Sequence, residues 1–170
     1  MTNAKEIIEE AKKLEKDYKF NEALDLLEAL FHKETNSKEV KNALLDSLLS
    51  YGGYLNDEFV CDHEQAIKIF EKMIEIEPEN YRALYNLGIT YFNLGKMEKA
   101  LESYNKALKI KTDYKFCYYN IGYLYENAGE IERALEFYEK ALNIDPGFIY
   151  ALNARESVRK QIDDFKRRSN

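Results

Sequence analysis

The stretch Cys61-Asp62-His63 is where side chains capable of covalent chemistry come closest together in this sequence. A cysteine two residues from a histidine invites a reading as nucleophile and base, because an imidazole can take the thiol proton. That chemistry also needs an oxyanion-stabilising signature and a third group to orient the base. Neither accompanies the pair, so Cys61 reads as a loop thiol. His32 and His63 stand 31 residues apart, each without a nearby Cys or His at metal-ligand spacing, and a zinc motif has no support. Gly52-Gly53 runs into Tyr54-Leu55-Asn56 rather than the Gly-Lys-Ser/Thr of a phosphate loop, and reads as a helix terminator. The acid pairs Glu9-Glu10, Asp57-Glu58 and Asp163-Asp164 read as solvated helix faces. No catalytic residue, no metal and no cofactor is expected, so the chain is read as a non-enzyme.

What such a chain builds follows from its composition. Two prolines and seven glycines in 170 residues leave little material for strand turns, and Lys, Glu, Leu, Ala and Asn dominate, a helix-former composition. An apolar fraction of 45% with 14% aromatics is enough to offset conformational entropy on folding. A net charge of -6, with bases interleaved among acids, argues against nucleic acid as a partner. No apolar run approaches a membrane span, and the start MTNAKEIIEEAKKLEK is amphipathic where a secretory signal would carry an apolar core. No membrane partner is expected, and with Cys61 and Cys117 as free thiols the expected location is cytoplasmic.

Internal periodicity is the strongest signal. Ala66, Ala100 and Ala134 are spaced by 34 residues, as are Phe70, Tyr104 and Tyr138, and Ile76, Ile110 and Ile144. Residues 81–114 and 115–148 share 15 identities in 34 positions, among them Gly88 with Gly122 and Gly95 with Gly129. Each unit reads as two helices joined by a short turn. Gly95 and Gly129 suit the left-handed cap that stops the first helix. Small residues belong where helices cross closely, which places Gly88, Ala100, Ala107, Gly122, Ala134 and Ala141 at contacts. Leu84, Leu87, Tyr91 and Tyr104, then Tyr118, Ile121, Tyr125 and Tyr138, fill the space around them. Cys117 occupies the place that Ala83 holds one unit earlier, and reads as a small packing residue.

Leu84-x2-Leu87-Gly88-x2-Tyr91 with Ala100-x3-Tyr104, and Tyr118-x2-Ile121-Gly122-x2-Tyr125 with Ala134-x3-Tyr138 and Pro146, resemble the tetratricopeptide repeat. The family's Trp is replaced by Leu or Tyr. The resemblance implies an all-α, right-handed superhelical α-solenoid of antiparallel helix pairs. Its repeats are expected at 4–37, 38–80, 81–114 and 115–148, with a capping helix over 149–166. Ala23 and Ala66 are 43 residues apart, so nine extra residues are expected near 54–62. They are placed between a first helix over about 38–51, stopped by Gly52-Gly53, and the helix that follows. The segment holds Tyr54, Phe59 and Val60, and either packs as helix extensions or folds over one end of the groove.

In this family the first helix of each repeat lines a concave groove. By helical offsets that face carries Arg82, Tyr85, Asn86, Ile89, Phe92 and Asn93, then Phe116, Tyr119, Asn120, Tyr123 and Asn127, then Tyr150 and Asn153. Aromatics with amides between them suit a peptide or partner helix whose apolar side chains dock while its backbone bonds to Asn. The opposing reading is that these aromatics pack against the neighbouring unit. Family members that grip acidic chaperone tails use a Lys, Asn and Arg clamp. Here those places read Ile8, Lys12, Ala43, Arg82 and Asn86, only fragments of one. The expected function is a scaffold that binds a protein or peptide. The alternative is a self-assembling structural protein, a homo-oligomer joined through its terminal repeats or capping helix.

Overall fold

The computed structural model describes residues 3–169, and among them the elements are helices, turns and loops without a strand. The chain divides between Pro78 and Glu79 into two compact units.

The first unit holds α1 (Ala4–Lys16), α2 (Phe20–Lys33), α3 (Lys38–Leu55) and α4 (His63–Ile76). Helix α1 opens with the Asn3 backbone N–H donating to the Glu6 carboxylate at 3.2 Å, a capping box that satisfies donors the helix cannot reach. Its core is apolar: Ala11, Ala23, Leu27, Val40, Leu44, Leu48, Ala66, Phe70 and Met73 are all within 2% of full burial. Helix α3 does not stop at Gly52-Gly53, contrary to the expectation; it continues to Leu55. Gly52 instead faces Phe70, whose ring would lie 2.5 Å from a Cβ added there. The glycine is needed for close approach, not for a turn. The extra residues therefore do not form one inserted loop. Helix α3 has 18 residues against 13 in α5, and the loop 56–62 carries the remainder.

That segment also behaves unevenly. Tyr54 sits in the last turn of α3 with its ring centroid 5.6 Å from Tyr18 and 5.0 Å from Phe20, and Leu55 is buried. Phe59 stands 89% exposed. Tyr18 ends α1 with φ 60, its N–H donating to the Glu15 carbonyl while Lys19 N–H donates to Leu14. This is the double hydrogen bond of a left-handed cap, made by a side-chain-bearing residue where later helices use glycine.

The second unit holds α5 (Tyr81–Asn93), α6 (Met97–Ile110), α7 (Lys115–Asn127), α8 (Ile131–Ile144) and α9 (Ile149–Ser169). Gly95 and Gly129 adopt φ 70 and 76. At each, the N–H groups of the glycine and the next residue bond back to Phe92 and Tyr91, or to Glu126 and Tyr125, closing helices α5 and α7 as the spacing predicts. Ala100, Ala107, Ala134 and Ala141 are fully buried at the crossings. A Cβ on Gly88 would meet Tyr104 at 2.5 Å, and one on Gly122 would meet Tyr138 at 2.7 Å. Helix α9 covers the last pair through Ala151 and Val158, both fully buried, whereas Phe165, expected on the same apolar row, is 71% exposed.

Candidate functional site: an aromatic face on the second unit

Helices α5, α7 and α9 contact one another in succession, and the residues singled out by helical offset fall into two groups along them. The larger group lies near the starts of the helices. Tyr85 is half-buried, its ring centroid 6.0 Å from Tyr104, 5.1 Å from Tyr114 and 6.5 Å from Phe116. Its hydroxyl accepts a hydrogen bond from Asn120 Nδ2 at 3.2 Å. Burial holds the Tyr85 phenol well above the usual tyrosine range, with the Asn120 bond acting the other way. Tyr119 packs on Tyr138 (5.6 Å), Phe148 (5.6 Å) and Tyr150 (6.1 Å), and burial raises its pKa as well. Phe116 touches Tyr114 and Phe148 at 5.4 and 5.3 Å.

The smaller group is a single pair near the helix ends, Phe92 and Tyr123, with ring centroids 5.4 Å apart at 49°. Ile89 is half-buried, and Asn93 and Asn127 are exposed. Exposure grades the aromatics: Phe116 is 38% accessible, Tyr123 43% and Tyr150 63%, while Tyr85 and Tyr119 are partly covered by their neighbours. The opposing reading of these rings thus describes Tyr85 and Tyr119, which pack between neighbouring helices. Phe116, Tyr123 and Tyr150 touch neighbouring rings as well but keep more of their surface exposed.

The amides are less free than expected. Asn86 Nδ2 donates to the Arg82 carbonyl and Asn127 Nδ2 to the Tyr123 carbonyl, each at 2.8 Å, bonds to their own helix one turn back. Asn120 is committed to Tyr85. Of the three, none has its amide nitrogen without a partner. Arg82 and Asn153 are exposed, and the Arg82 charge acts to lower the Tyr114 phenol, which burial nonetheless pushes up to about 12.

Three residues of this face were not anticipated. Tyr114 and Phe148 sit on the loops before α7 and α9 and join the ring network from outside the helices. Lys115 Nζ lies 5.2 Å over Phe116 and 4.9 Å over Phe148 while pairing with Asp145, a cation held against two rings. The signal was present: Tyr114 and Phe148 are the aromatic pair in the last column of the 34-residue alignment.

Cys117 is fully buried, and burial pushes its thiol up to about 12, which keeps it protonated and unreactive. In the first unit, the Cys61 thiol donates to the Glu58 carbonyl at 2.9 Å, and the His63 ring meets Asn56 Oδ1 at 3.1 Å. The two side chains are each engaged elsewhere. Among the described residues no group of three or more His, Cys, Asp or Glu side chains is placed to hold a metal ion, and no helix is long and apolar enough to cross a membrane.

Residues 79–146 match the family model of the tetratricopeptide repeat. No curated protein sequence matches the chain significantly. Among solved structures, a crystal structure of MamA is similar with a TM-score of 0.69 at 24% identity, covering 90% of this chain and 84% of that one. The Sgt2 TPR domain from Aspergillus fumigatus aligns with a TM-score of 0.65 at 22% identity, over 72% of this chain and 82% of its own. The first TPR of Spaghetti (RPAP3), solved with the HSP90 peptide SRMEEVD, aligns with a TM-score of 0.62 at 22% identity, over 70% and 93%. The buried Gly88–Tyr104 and Gly122–Tyr138 contacts and the glycine-capped first helices lie within the residues that match the tetratricopeptide repeat model, and the chain shares the fold of these solved structures.

Proposed function

We propose that this protein is a non-enzymatic scaffold of the cytoplasm that holds a peptide or partner helix on the face formed by α5, α7 and α9. The observation that carries this reading is the exposure of Phe116 and Tyr123 on α7 and of Tyr150 on α9, in one compact unit. Large rings left partly exposed beside a packed network are anchors for an apolar ligand. The packed rings beneath, Tyr85, Tyr119, Tyr114 and Phe148, fix the anchors and reduce the entropy lost on binding. The repeats read as 4–37, 38–80, 81–114 and 115–148, with α9 as the cap.

An acidic tail of the kind seen with RPAP3 is a poor fit. Ile8 is buried and Ala43 carries no charge, and the Asn86 amide is turned onto its own helix. Arg82 and Lys115 are the cations beside the rings, and Lys115 is already paired with Asp145. The ligand is therefore apolar, with aromatic or branched side chains spaced to meet Phe116, Tyr123 and Tyr150.

Selecting binders from a random peptide library on the immobilised full chain tests this. Recovered peptides should be rich in apolar and aromatic residues and should lose binding to a Phe92→Ala, Tyr123→Ala variant of unchanged helicity. Enrichment of acidic peptides, or binding indifferent to that variant, would defeat the reading.

A further inference from the structure

Two helical faces, one in each unit, are chemically complementary. In the first unit, a crevice between α1 and α2 is floored by Ile7 and Leu26 and ringed by Glu6, Glu9 and Glu10, with Lys5 and Lys13 at its margin. Leu26 is 36% exposed. In the second unit, the outer side of α9 is lined by Ile149, Leu152, Asn153, Arg155, Glu156 and Arg159, with Ile149 57% exposed. Each face thus pairs two aliphatic side chains with a charged rim. Carboxylates outnumber ammonium groups at the first, and guanidinium groups outnumber carboxylates at the second.

We propose that a second copy of this chain is the occupant: the outer side of α9 in one molecule docks on the α1–α2 crevice of the next. The apolar pairs would bury each other while Arg155 and Arg159 meet Glu9 and Glu10 across the rim. Glu9, Glu10 and Arg159 are held by exposed pairs with Lys12, Lys13 and Glu139, which are worth little and exchange readily. Because the two patches differ, the contact is heterologous rather than isologous. Each of the two faces keeps part of its aliphatic surface exposed, at Leu26 and at Ile149. The inference is independent of ligand binding on the α5, α7 and α9 face.

Sedimentation velocity over a concentration series, at low and raised salt, tests it with the full chain. Wild type should gain mass with concentration and lose it as salt rises, since rim charges are screened. A Glu9→Lys, Glu10→Lys variant and an Arg155→Glu, Arg159→Glu variant should each stay monomeric alone, and an equimolar mixture of the two should associate again. The Phe92→Ala, Tyr123→Ala variant should associate like wild type, so failure here and failure of the peptide-binding reading are separable. A wild-type chain that is monomeric throughout overturns the proposal. So does a charge-reversed variant that associates unaided, or a mixture that stays monomeric.

Discussion

Gly88 and Tyr104 offer the sharpest test of how these helix pairs are held. Replacing Gly88 by Ala places a methyl carbon 2.5 Å from the Tyr104 ring, a separation no real contact sustains. The ring cannot swing away, because Tyr104 is 1% exposed and lies 6.0 Å from Tyr85. Overpacking of this kind costs about 1–3 kcal/mol, while exchanging an interior helical glycine for alanine returns roughly 0.5–1 kcal/mol. The net expectation for Gly88→Ala is a loss of about 1–2 kcal/mol. In a Tyr104→Leu background the obstructing ring edge is gone, so the same change should stabilise by roughly 0.5–1 kcal/mol. Urea denaturation of the four proteins, read as midpoint shifts at constant slope, closes the cycle. The coupling should come to about 1–3 kcal/mol. Additive effects would show that the glycine is not there to admit the ring, and would undo the account of Gly52 and Gly122 with it.

Tyr119→Ala should destabilise the chain by about 1–2 kcal/mol because half-buried ring area against Phe148 and Tyr138 is lost, whereas Tyr123→Ala should leave the midpoint within about 0.5 kcal/mol of wild type; equal effects would erase the distinction between packing and presenting rings. A thiol reagent at pH 8 should modify Cys61 promptly and Cys117 only on unfolding, measured by mass spectrometry of the native protein. Burial pushes the Cys117 thiol from its ordinary 9.0 up to about 12 and the Tyr114 phenol from 10.0 up to about 12, so the unfolded chain releases these protons first. Stability from them is fully present below pH 9 and is lost as pH climbs towards 12, and a thermal midpoint flat across that window would contradict it. Leu55→Ala should cost about 2–5 kcal/mol and Phe59→Ser almost nothing, which a pair of melting curves decides.

The 34-residue spacing made the crossings legible because a repeat period constrains which faces meet: every alanine assigned to a crossing in the second unit is fully buried. Glycine was harder to read. A glycine that ends a helix and one that admits a neighbour's ring look alike in sequence, and Gly52 is of the second kind. The fragment Leu48-x2-Tyr51-Gly52 repeats the register of Leu84-x2-Leu87-Gly88, and that comparison separates the two roles. The face on α5, α7 and α9 was legible as a set of positions but not as a set of exposures. Helical offset says which way a side chain leaves the backbone; it does not say that Tyr114 and Phe148 will come in from the loops and cover Tyr85 and Tyr119. Nor does it foresee the bonds that Asn86 and Asn127 make with their own helices, a choice of rotamer settled one turn away.

The glycine–ring contact has a bearing on how such a chain changes over generations. Gly88 and Tyr104 lie in one hairpin, and Gly122 and Tyr138 in the next, so the tightest steric fit of each pair is contained within a single stretch of about 34 codons. A duplication or loss of that stretch carries lock and key together, and the surrounding protein meets the seams between pairs, where rings such as Phe92 and Tyr123 touch. Drift can then alter the rings on the outer face of one copy while the pairing inside it is inherited intact. Residues 81–114 and 115–148 look like the record of such an event: identical at Gly88 and Gly122 and at Tyr104 and Tyr138, and divergent at Ile89 against Tyr123 and Phe92 against Glu126.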